Sequence, residues 1–221
     1  MALFSKSRPR KLKTTQSVVR AWLMRGAGRR LMHAERQILQ KQLNKSFGSY
    51  ALFYNGLDDQ PYATLTRHQV RIGSAELAPE ISCAENFWPI QPDSLDVVVL
   101  QHSLEFAASP HEVLREAVQA VRPGGHLVIL GTNPYGCLAV GRWVGCGPWR
   151  HARCVSQRRV SEWLSLLGFH VEERRYFSYR PLFLLKEKTE LDSKRSYVDK
   201  KQWPVGNCYM LVARKMMQGS F

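Results

Sequence analysis

The fold is decided by residues 89–134, which open with PIQPDSLDVVVL (89–100) and QHSLEF (101–106). Four consecutive apolar residues, Val97 to Leu100, predict a strand that is buried on both faces. A helix is expected from Pro110 to Val121. The following VRPGGHLVILGTNP (121–134) predicts a Pro-Gly-Gly stop and a second buried strand, Leu127 to Leu130. Together these elements form one βαβ unit, and sheets built from such units bind ligands at the carboxyl ends of their strands.

The segments around this unit predict one α/β domain. Apolar residues at helical spacing indicate two helices between Ser17 and Leu43, with a break near Gly26-Ala27-Gly28. A first strand is expected at 50–54, an Asn55-Gly56 turn after it, and a second strand at 69–72. The C-terminal part is expected to hold a helix at 156–167 and strands at 169–176 and 208–213. The expected helix caps are Ser109, Ser156 and Gly168.

The predicted domain organisation has three parts. Residues 1–15 form a basic arm that is expected to be disordered, 16–46 form a helical extension, and 47–215 form the α/β domain. Residues 133–155 are interpreted as a long connection and 186–201 as a mobile charged loop. With 221 residues and 44% hydrophobic composition, a single full core is expected.

Composition also bears on location. The sequence contains no apolar run long enough to predict a transmembrane helix, and its start does not resemble a secretory signal. The five cysteines are scattered and odd in number, so a disulfide framework is not expected and a cytoplasmic location is predicted.

The charge is strongly positive and unevenly distributed. The formal net charge is +14, no acidic residue precedes Glu35, and a second acid-free stretch lies between Glu116 and Glu162. Two interpretations stay open: an ordinary solvated surface, or a contact face for RNA, DNA or an anionic membrane surface, with the basic N-terminal arm as its main part.

Four motifs in order resemble those of class I S-adenosylmethionine (SAM)-dependent methyltransferases, and in particular the type 11-like proteins. They are PIQPDSLDVV (89–98), HSLEF (102–106), PHEVLRE (110–116) and RPGG (122–125). The N-terminal helices and GTNP (131–134) resemble a small proteobacterial branch of that group. The resemblance implies a Rossmann-like α/β fold: a seven-stranded sheet, mostly parallel, with an antiparallel last strand.

The resemblance also implies where SAM would bind. The loop after the first strand corresponds to Tyr54, Asn55 and Gly56, although only one glycine of the family's glycine-rich loop is present. Glu76 is the candidate for the carboxylate that accepts from the ribose. The position that contacts adenine falls on Ala84, with Glu85 beside it as a possible substitute. After the fourth strand, Gln101 and His102 are expected to contact the cofactor.

His102 is also the candidate catalytic base, with a structural histidine as the alternative. On the acceptor side the candidates are Glu105, Phe106, Asn133 and Tyr135. No metal is predicted, because the Cys146, His151 and Cys154 spacing fits no standard zinc pattern.

Three functions therefore remain open from the sequence. The leading one is a SAM-dependent methyltransferase with an altered cofactor pocket and an unassigned acceptor. The second is a non-catalytic methyltransferase-like protein that binds RNA or an anionic surface through its basic segments. The third is a protein that binds a different small ligand in the same cleft.

Overall fold

The computed structural model describes residues 13–58, 61–62, 65–139, 149, 152–179 and 204–217, with the backbone alone at 13–16 and 27. The predicted mobile loop, most of the basic arm, Cys146 and His151 lie outside this range. The helices are α1 (Lys13–Leu23), α2 (Gly26–Leu43), α3 (Ser103–Phe106), α4 (Pro110–Ala120) and α5 (Gln157–Leu166). The strands are β1 (Phe47–Tyr54), β2 (Leu65–Gly73), β3 (Ile81–Ser82), β4 (Leu95–Gln101), β5 (Val121–Thr132), β6 (Phe169–Phe177) and β7 (Cys208–Lys215).

All seven strands form one sheet in the order β3-β2-β1-β4-β5-β7-β6. Strands β1 to β5 pair in parallel, whereas β7 lies antiparallel between β5 and β6. The predicted mostly parallel α/β sheet with an antiparallel last strand is therefore confirmed. Its strand order also places the carboxyl ends of β1 and β4 side by side, with Tyr54 opposite Leu100.

The side chains of the central strands alternate between two hydrophobic cores, one on each face of the sheet. On one face, α1 and α2 pack on Phe53, Val99 and Met210 through apolar side chains such as Leu31 and Leu39. On the opposite face, α4 and α5 cover the alternate positions of the same strands. Because β4 has no exposed residue, it lies at the centre of both cores, as its unbroken apolar run predicts.

Helices are missing where an α/β sheet of this kind usually has them. The described residues of the connection between Tyr54 and Leu65 contain no helix, and the β2–β3 connection has only a 3₁₀ turn, Ala75–Leu77. The β3–β4 connection, 83–94, is also without a helix. Parallel strands are ordinarily joined through a crossover helix. Here the N-terminal helices take over the covering of that face.

Two long-range contacts hold these short connections. The Arg20 guanidinium donates to the carbonyl of Leu77 at 3.0 Å, which ties α1 to the 3₁₀ turn. The Arg36 guanidinium contacts the Asp58 carboxylate and lies 4.7 Å from the centre of the Tyr62 ring. Tyr62 in turn stacks on Phe53 of β1 at 5.2 Å. Arg36 of α2 therefore fixes the segment that connects β1 to β2.

Several predicted boundaries are corrected. Helix α4 ends at Ala120, and the Pro-Gly-Gly at 123–125 lies inside β5 as a register shift opposite Leu95 and Val97. Ser109 is the N-cap residue without a side-chain hydrogen bond, whereas the Ser156 hydroxyl accepts from the Arg159 N–H. Helix α1 begins at Lys13, inside the predicted arm, and the short β3 and α3 were not predicted.

Among the described residues, no helix combines the length and the apolar content that a transmembrane span requires. Four of the described cysteines, Cys83, Cys137, Cys154 and Cys208, are not in disulfide bonds.

Asp96 joins three parts of the sheet at the amino end of β4. Its buried carboxylate accepts from the N–H groups of Ser49 and Tyr50 at 2.7 and 2.9 Å and pairs with Arg122 at 2.5 Å. A side chain at Gly48 would collide with it, since the Cβ would lie 2.2 Å from the Asp96 Cγ. Asp96 therefore fixes the start of β1 against β4.

We expect Asp96→Ala to lower the free energy of unfolding by about 3 kcal/mol, because two backbone N–H groups lose their acceptor and Arg122 loses its partner. Urea denaturation measures this loss. The matched control is Asp93→Asn, which removes the charge of a carboxylate that is 56% exposed and pairs with Lys215, and which suits the left-handed backbone at φ 57°. That exposed ion pair is worth about 1 kcal/mol or less. Equal losses in the two variants would contradict the assignment.

Candidate functional site

The turn after β1 is built by Asn55. Asn55 has φ 50°, in the left-handed region that asparagine tolerates, as predicted. Its N–H donates to the Ile72 carbonyl at 2.9 Å, and its side-chain oxygen accepts from the Ser74 N–H at 3.0 Å. A Cβ at Gly73 would lie 2.1 Å from that oxygen. The Asn55 amide therefore fills the crevice between the ends of β1 and β2.

Tyr54 and Gly56 border different faces of the sheet. The Tyr54 ring stacks on Trp88 at 4.6 Å in the core that α4 and α5 cover. Burial, together with the nearby Glu85 carboxylate, raises the pKa of Tyr54 well above its usual range, so its phenol stays neutral. Gly56 instead borders a cavity on the opposite face.

That cavity has a volume of about 330 Å³ and lies beside the carboxyl ends of β1, β2 and β4. Its walls include Gly56, Asp58, Tyr62, Arg71, Glu80 and Gln101. Two carboxylates and two guanidinium groups, those of Arg67 and Arg71, therefore face this space, and Phe53 and Tyr62 form its aromatic wall. Arg71 and Glu80 form an ion pair of 3.6 Å within it. Of the predicted cofactor residues, the cavity brings together Gly56 and Gln101.

The other predicted cofactor residues lie away from this space. Glu76 is exposed on the 3₁₀ turn after β2. Ala84 is exposed and forms an isolated bridge with Phe87. The Glu85 carboxylate accepts from the Ala108 N–H at 2.8 Å, which links it to the loop before α4. Their predicted contacts with ribose and adenine stay predictions.

Gln101 and His102 take part in a buried polar cluster with Glu35 of α2 and Glu105 of α3. The His102 Nε2 lies 2.7 Å from one Glu35 oxygen, and its Nδ1 lies 3.0 Å from the Glu105 Oε1. The Gln101 amide donates to the second Glu35 oxygen at 2.8 Å. All four side chains are buried. We refer to Glu35, Gln101, His102 and Glu105 as the buried cluster.

His102 carries the positive charge of this cluster. Burial alone lowers the pKa of His102, but the Glu35 and Glu105 carboxylates and their hydrogen bonds outweigh it and raise the pKa to about 10. Both ring nitrogens are hydrogen-bonded at neutral pH. This surrounding favours the structural alternative for His102, because a general base needs a free nitrogen lone pair.

The backbone of His102 explains how the ring reaches this position. His102 has φ 48°, a left-handed conformation in which histidine is enriched, and it marks the turn from β4 to α3. Its ring meets the Trp149 ring edge-on at 5.2 Å. Phe106, a predicted acceptor residue, packs on the same Trp149 at 5.6 Å and lies in the core.

The sequence did not identify Glu35. A signal was present, because Glu35 lies on the apolar face of α2, between Leu31 and Leu39, where a charged residue is buried only with partners. Its partners lie 66 and 67 residues further along the chain. The pattern therefore marks Glu35 as unusual but does not locate its partners.

Asn133 and Tyr135 differ in exposure, since Asn133 is buried and Tyr135 is on the surface. The Asn133 amide donates to the carbonyls of Pro204 and Gly206 at 2.8 and 2.7 Å, which holds the chain before β7 against the end of β5. Tyr135 is 75% exposed. The Tyr135 N–H donates to the Asn133 Oδ1 at 3.2 Å, and the acceptor role predicted for both residues stays a prediction.

The strand order and the antiparallel β7 are those of a Rossmann-like α/β fold of the class I methyltransferase type. In agreement, residues 46–129 match the family model described as a methyltransferase domain. That match spans the sheet from β1 to β5 and includes the Gln101–His102 turn.

Individual relatives agree with this class. An uncharacterized protein of Escherichia coli K12, YafS, is 30% identical over 156 residues, which cover 66% of this chain and 65% of YafS, just under two thirds of that relative. A possible histamine N-methyltransferase from Thermotoga maritima has a TM-score of 0.60 at 16% identity, covering 85% of this chain and 93% of the other. A Haloferax volcanii putative methyltransferase, solved in complex with the activator Trm112, has a TM-score of 0.59 at 15% identity, with 94% and 100% covered. The structural likenesses establish the fold.

We expect Glu35→Ala to lower the free energy of unfolding by about 3–5 kcal/mol, because it leaves the charge of His102 with one partner fewer in a buried site. Glu76→Ala, which removes an exposed carboxylate, is the control and is expected to change stability by at most about 0.5 kcal/mol. Urea denaturation of both variants tests this. A wild-type midpoint for Glu35→Ala would show that the buried cluster does not stabilise the fold.

Proposed function

We propose that this protein is a SAM-dependent methyltransferase whose cofactor occupies the cavity between Gly56 and Gln101. The observation that supports this proposal is the position of that cavity at the carboxyl ends of β1, β2 and β4. This edge is where α/β sheets bind ligands, and the matched methyltransferase domain covers it. The acceptor is a separate molecule that supplies the nucleophile.

The cavity offers groups that suit the polar parts of SAM. The Asp58 and Glu80 carboxylates can accept from the ribose hydroxyls or the ammonium group, which are both hydrogen-bond donors. The Arg71 guanidinium can pair with the methionine carboxylate. The edge of the Tyr62 ring, whose faces contact Phe53 and Arg36, gives one wall an apolar contact for adenine. In this proposal Glu80 replaces the role predicted for Glu76.

In the same proposal, His102 acts as a positioning residue. Its contacts with Glu35 and Glu105 fix the turn after β4, and that turn places Gln101 at the cavity wall. Catalysis then depends mainly on holding the sulfonium methyl in line with the acceptor.

Isothermal titration with SAM and S-adenosylhomocysteine tests the proposal directly. We expect a micromolar Kd, which corresponds to about −8 kcal/mol. Gly56→Arg should weaken binding at least about tenfold, which is 1.4 kcal/mol, because its side chain would project into the cavity. A small side chain is tolerated there, since the nearest atom to a Cβ at Gly56 is 3.7 Å away.

The matched control is Leu166→Arg, which adds the same charge to an 86% exposed position on α5. It should bind as the wild type does. The proposal fails if folded wild-type protein, verified by circular dichroism, shows no binding of either compound at millimolar concentration. It also fails if the two arginine variants weaken binding equally.

A second candidate function is a non-catalytic, polyanion-binding protein. It is favoured by the Asn55 amide, which fills the crevice beside Gly73 where the family places the ribose carboxylate. In this alternative the basic N-terminal arm contacts RNA or an anionic surface.

Removal of residues 1–12 tests this alternative, with circular dichroism to verify that the shortened chain folds. The deletion takes away Lys6, Arg8, Arg10 and Lys11 but leaves α1 intact, whereas a longer deletion would remove the buried Val19 and Leu23. If the arm binds RNA, the slope of log K against log salt should fall by about 0.7 for each lost phosphate contact to a single strand. An unchanged slope and affinity would rule out the arm as the binding element.

A further inference from the structure

The Cys208 thiol lies next to two members of the buried cluster, Glu35 and His102. Glu35 of α2, His102 after β4 and Cys208 of β7 each offer one ligand atom, and these atoms lie within 4.8 Å of one another. All three residues are buried. We infer that Glu35, His102 and Cys208 form a binding site for a divalent transition metal ion of the zinc type.

The three donors match the chemistry of such an ion. Zinc is bound by cysteine sulfur at about 2.3 Å, by histidine nitrogen at about 2.0–2.1 Å and by carboxylate oxygen at about 2.0–2.2 Å. On a tetrahedral ion these distances put neighbouring ligand atoms about 3.3–3.8 Å apart. The Glu35 oxygen and the His102 Nε2, now 2.7 Å apart, would have to separate by about 0.6 Å. A rotation of the Glu35 carboxylate can provide that movement.

The hydrogen bonds to the proposed ligands resemble those made by ligands of protein-bound metals. A metal-ligating histidine almost always donates its other ring N–H to a carboxylate or carbonyl group. Here the Nδ1 of His102 faces the Glu105 Oε1 at 3.0 Å, and that oxygen also accepts from the Thr132 N–H. The Gln101 amide orients the second Glu35 oxygen at 2.8 Å. Nε2 of His102 is therefore directed at Glu35 and becomes a metal ligand once it has lost its proton.

A buried carboxylate oxygen lies on the other side of the histidine ring. The second oxygen of Glu105, Oε2, is buried and has no hydrogen-bond partner among the described residues. Among those residues, the basic side chain in contact with both Glu35 and Glu105 is His102. A divalent ion held by Glu35, His102 and Cys208 would add positive charge to this part of the core, where buried ions depend on their partners.

Metal binding at this site exchanges protons for the ion. The His102 Nε2 loses its proton and the Cys208 thiol loses its proton, and both protons pass to solvent as the metal–nitrogen and metal–sulfur bonds form. No electron is transferred. Three protein ligands leave one position on a tetrahedral ion for water or another donor. Because the site is closed, the ion is expected to enter as the chain folds.

Cobalt provides the direct test. The full-length chain is unfolded in guanidinium with a chelator, freed of the chelator and refolded with Co²⁺. We expect one Co²⁺ per chain, a thiolate-to-cobalt charge-transfer band in the near ultraviolet and visible bands of a tetrahedral ion. Zn²⁺ should displace Co²⁺ and abolish the bands. Elemental analysis gives the stoichiometry.

Variants locate the ion. Cys208→Ser should abolish the charge-transfer band, and Glu35→Gln should lower the bound Co²⁺ at least tenfold. Cys83→Ser, which alters a half-buried free thiol in the other core, should keep the full signal. Circular dichroism verifies that each variant folds, and the conservative size of the Cys208→Ser change favours folding.

Two results would overturn the inference: refolded wild-type protein without stoichiometric Co²⁺, or a charge-transfer band that persists in Cys208→Ser and disappears in Cys146→Ser. The readout is independent of SAM, so the metal site and the proposed methyltransferase activity stand or fall separately.

Discussion

The contact of one imidazole with two buried carboxylates is the constraint on which the rest of the structure depends. His102 joins Glu35 on the second N-terminal helix to Glu105 on the short helix after β4. Ions buried this deeply are stable only while all their partners are in place. The N-terminal helices must therefore be docked whenever the end of β4 has its folded shape. They share one hydrophobic core with the strands of the sheet.

The docked N-terminal helices explain how the sheet is covered although the connections from β1 to β4 contain no α-helix among the described residues. The apolar residues of β1, β4 and β5 that face α2 need a cover, and α1 and α2 provide it. Because α1 and α2 precede the strands, they are not part of the connections and do not by themselves hold the loops in place. Arg20 and Arg36 hold these loops through contacts with Leu77, Asp58 and the Tyr62 ring. The space bordered by Asp58, Tyr62 and Arg71 remains open as the cavity.

The sequence predicted the half of the fold in which local pattern and tertiary structure agree. Val97 to Leu100 are apolar because both faces of β4 are buried, so the strand could be identified without knowledge of its neighbours. The Pro-Gly-Gly at 123–125 was misinterpreted, because the same residues that stop a helix also form an irregularity within a strand. The Glu35–His102 contact could not be predicted, since no local pattern relates residues 67 positions apart.

The turn after β1 shows how an asparagine can stand where the similar methyltransferases have a glycine-rich loop. A glycine-rich loop lets the backbone approach a ligand because it lacks side chains. In this chain Asn55 uses its side chain to join β1 to β2, which stabilises a turn that a following helix would otherwise hold. The same amide excludes any side chain at position 73. In the proposed function, a carboxylate for the ribose comes from the cavity wall, where Glu80 lies just before β3 and pairs with Arg71. One asparagine side chain thus both joins β1 to β2 and requires a glycine at position 73.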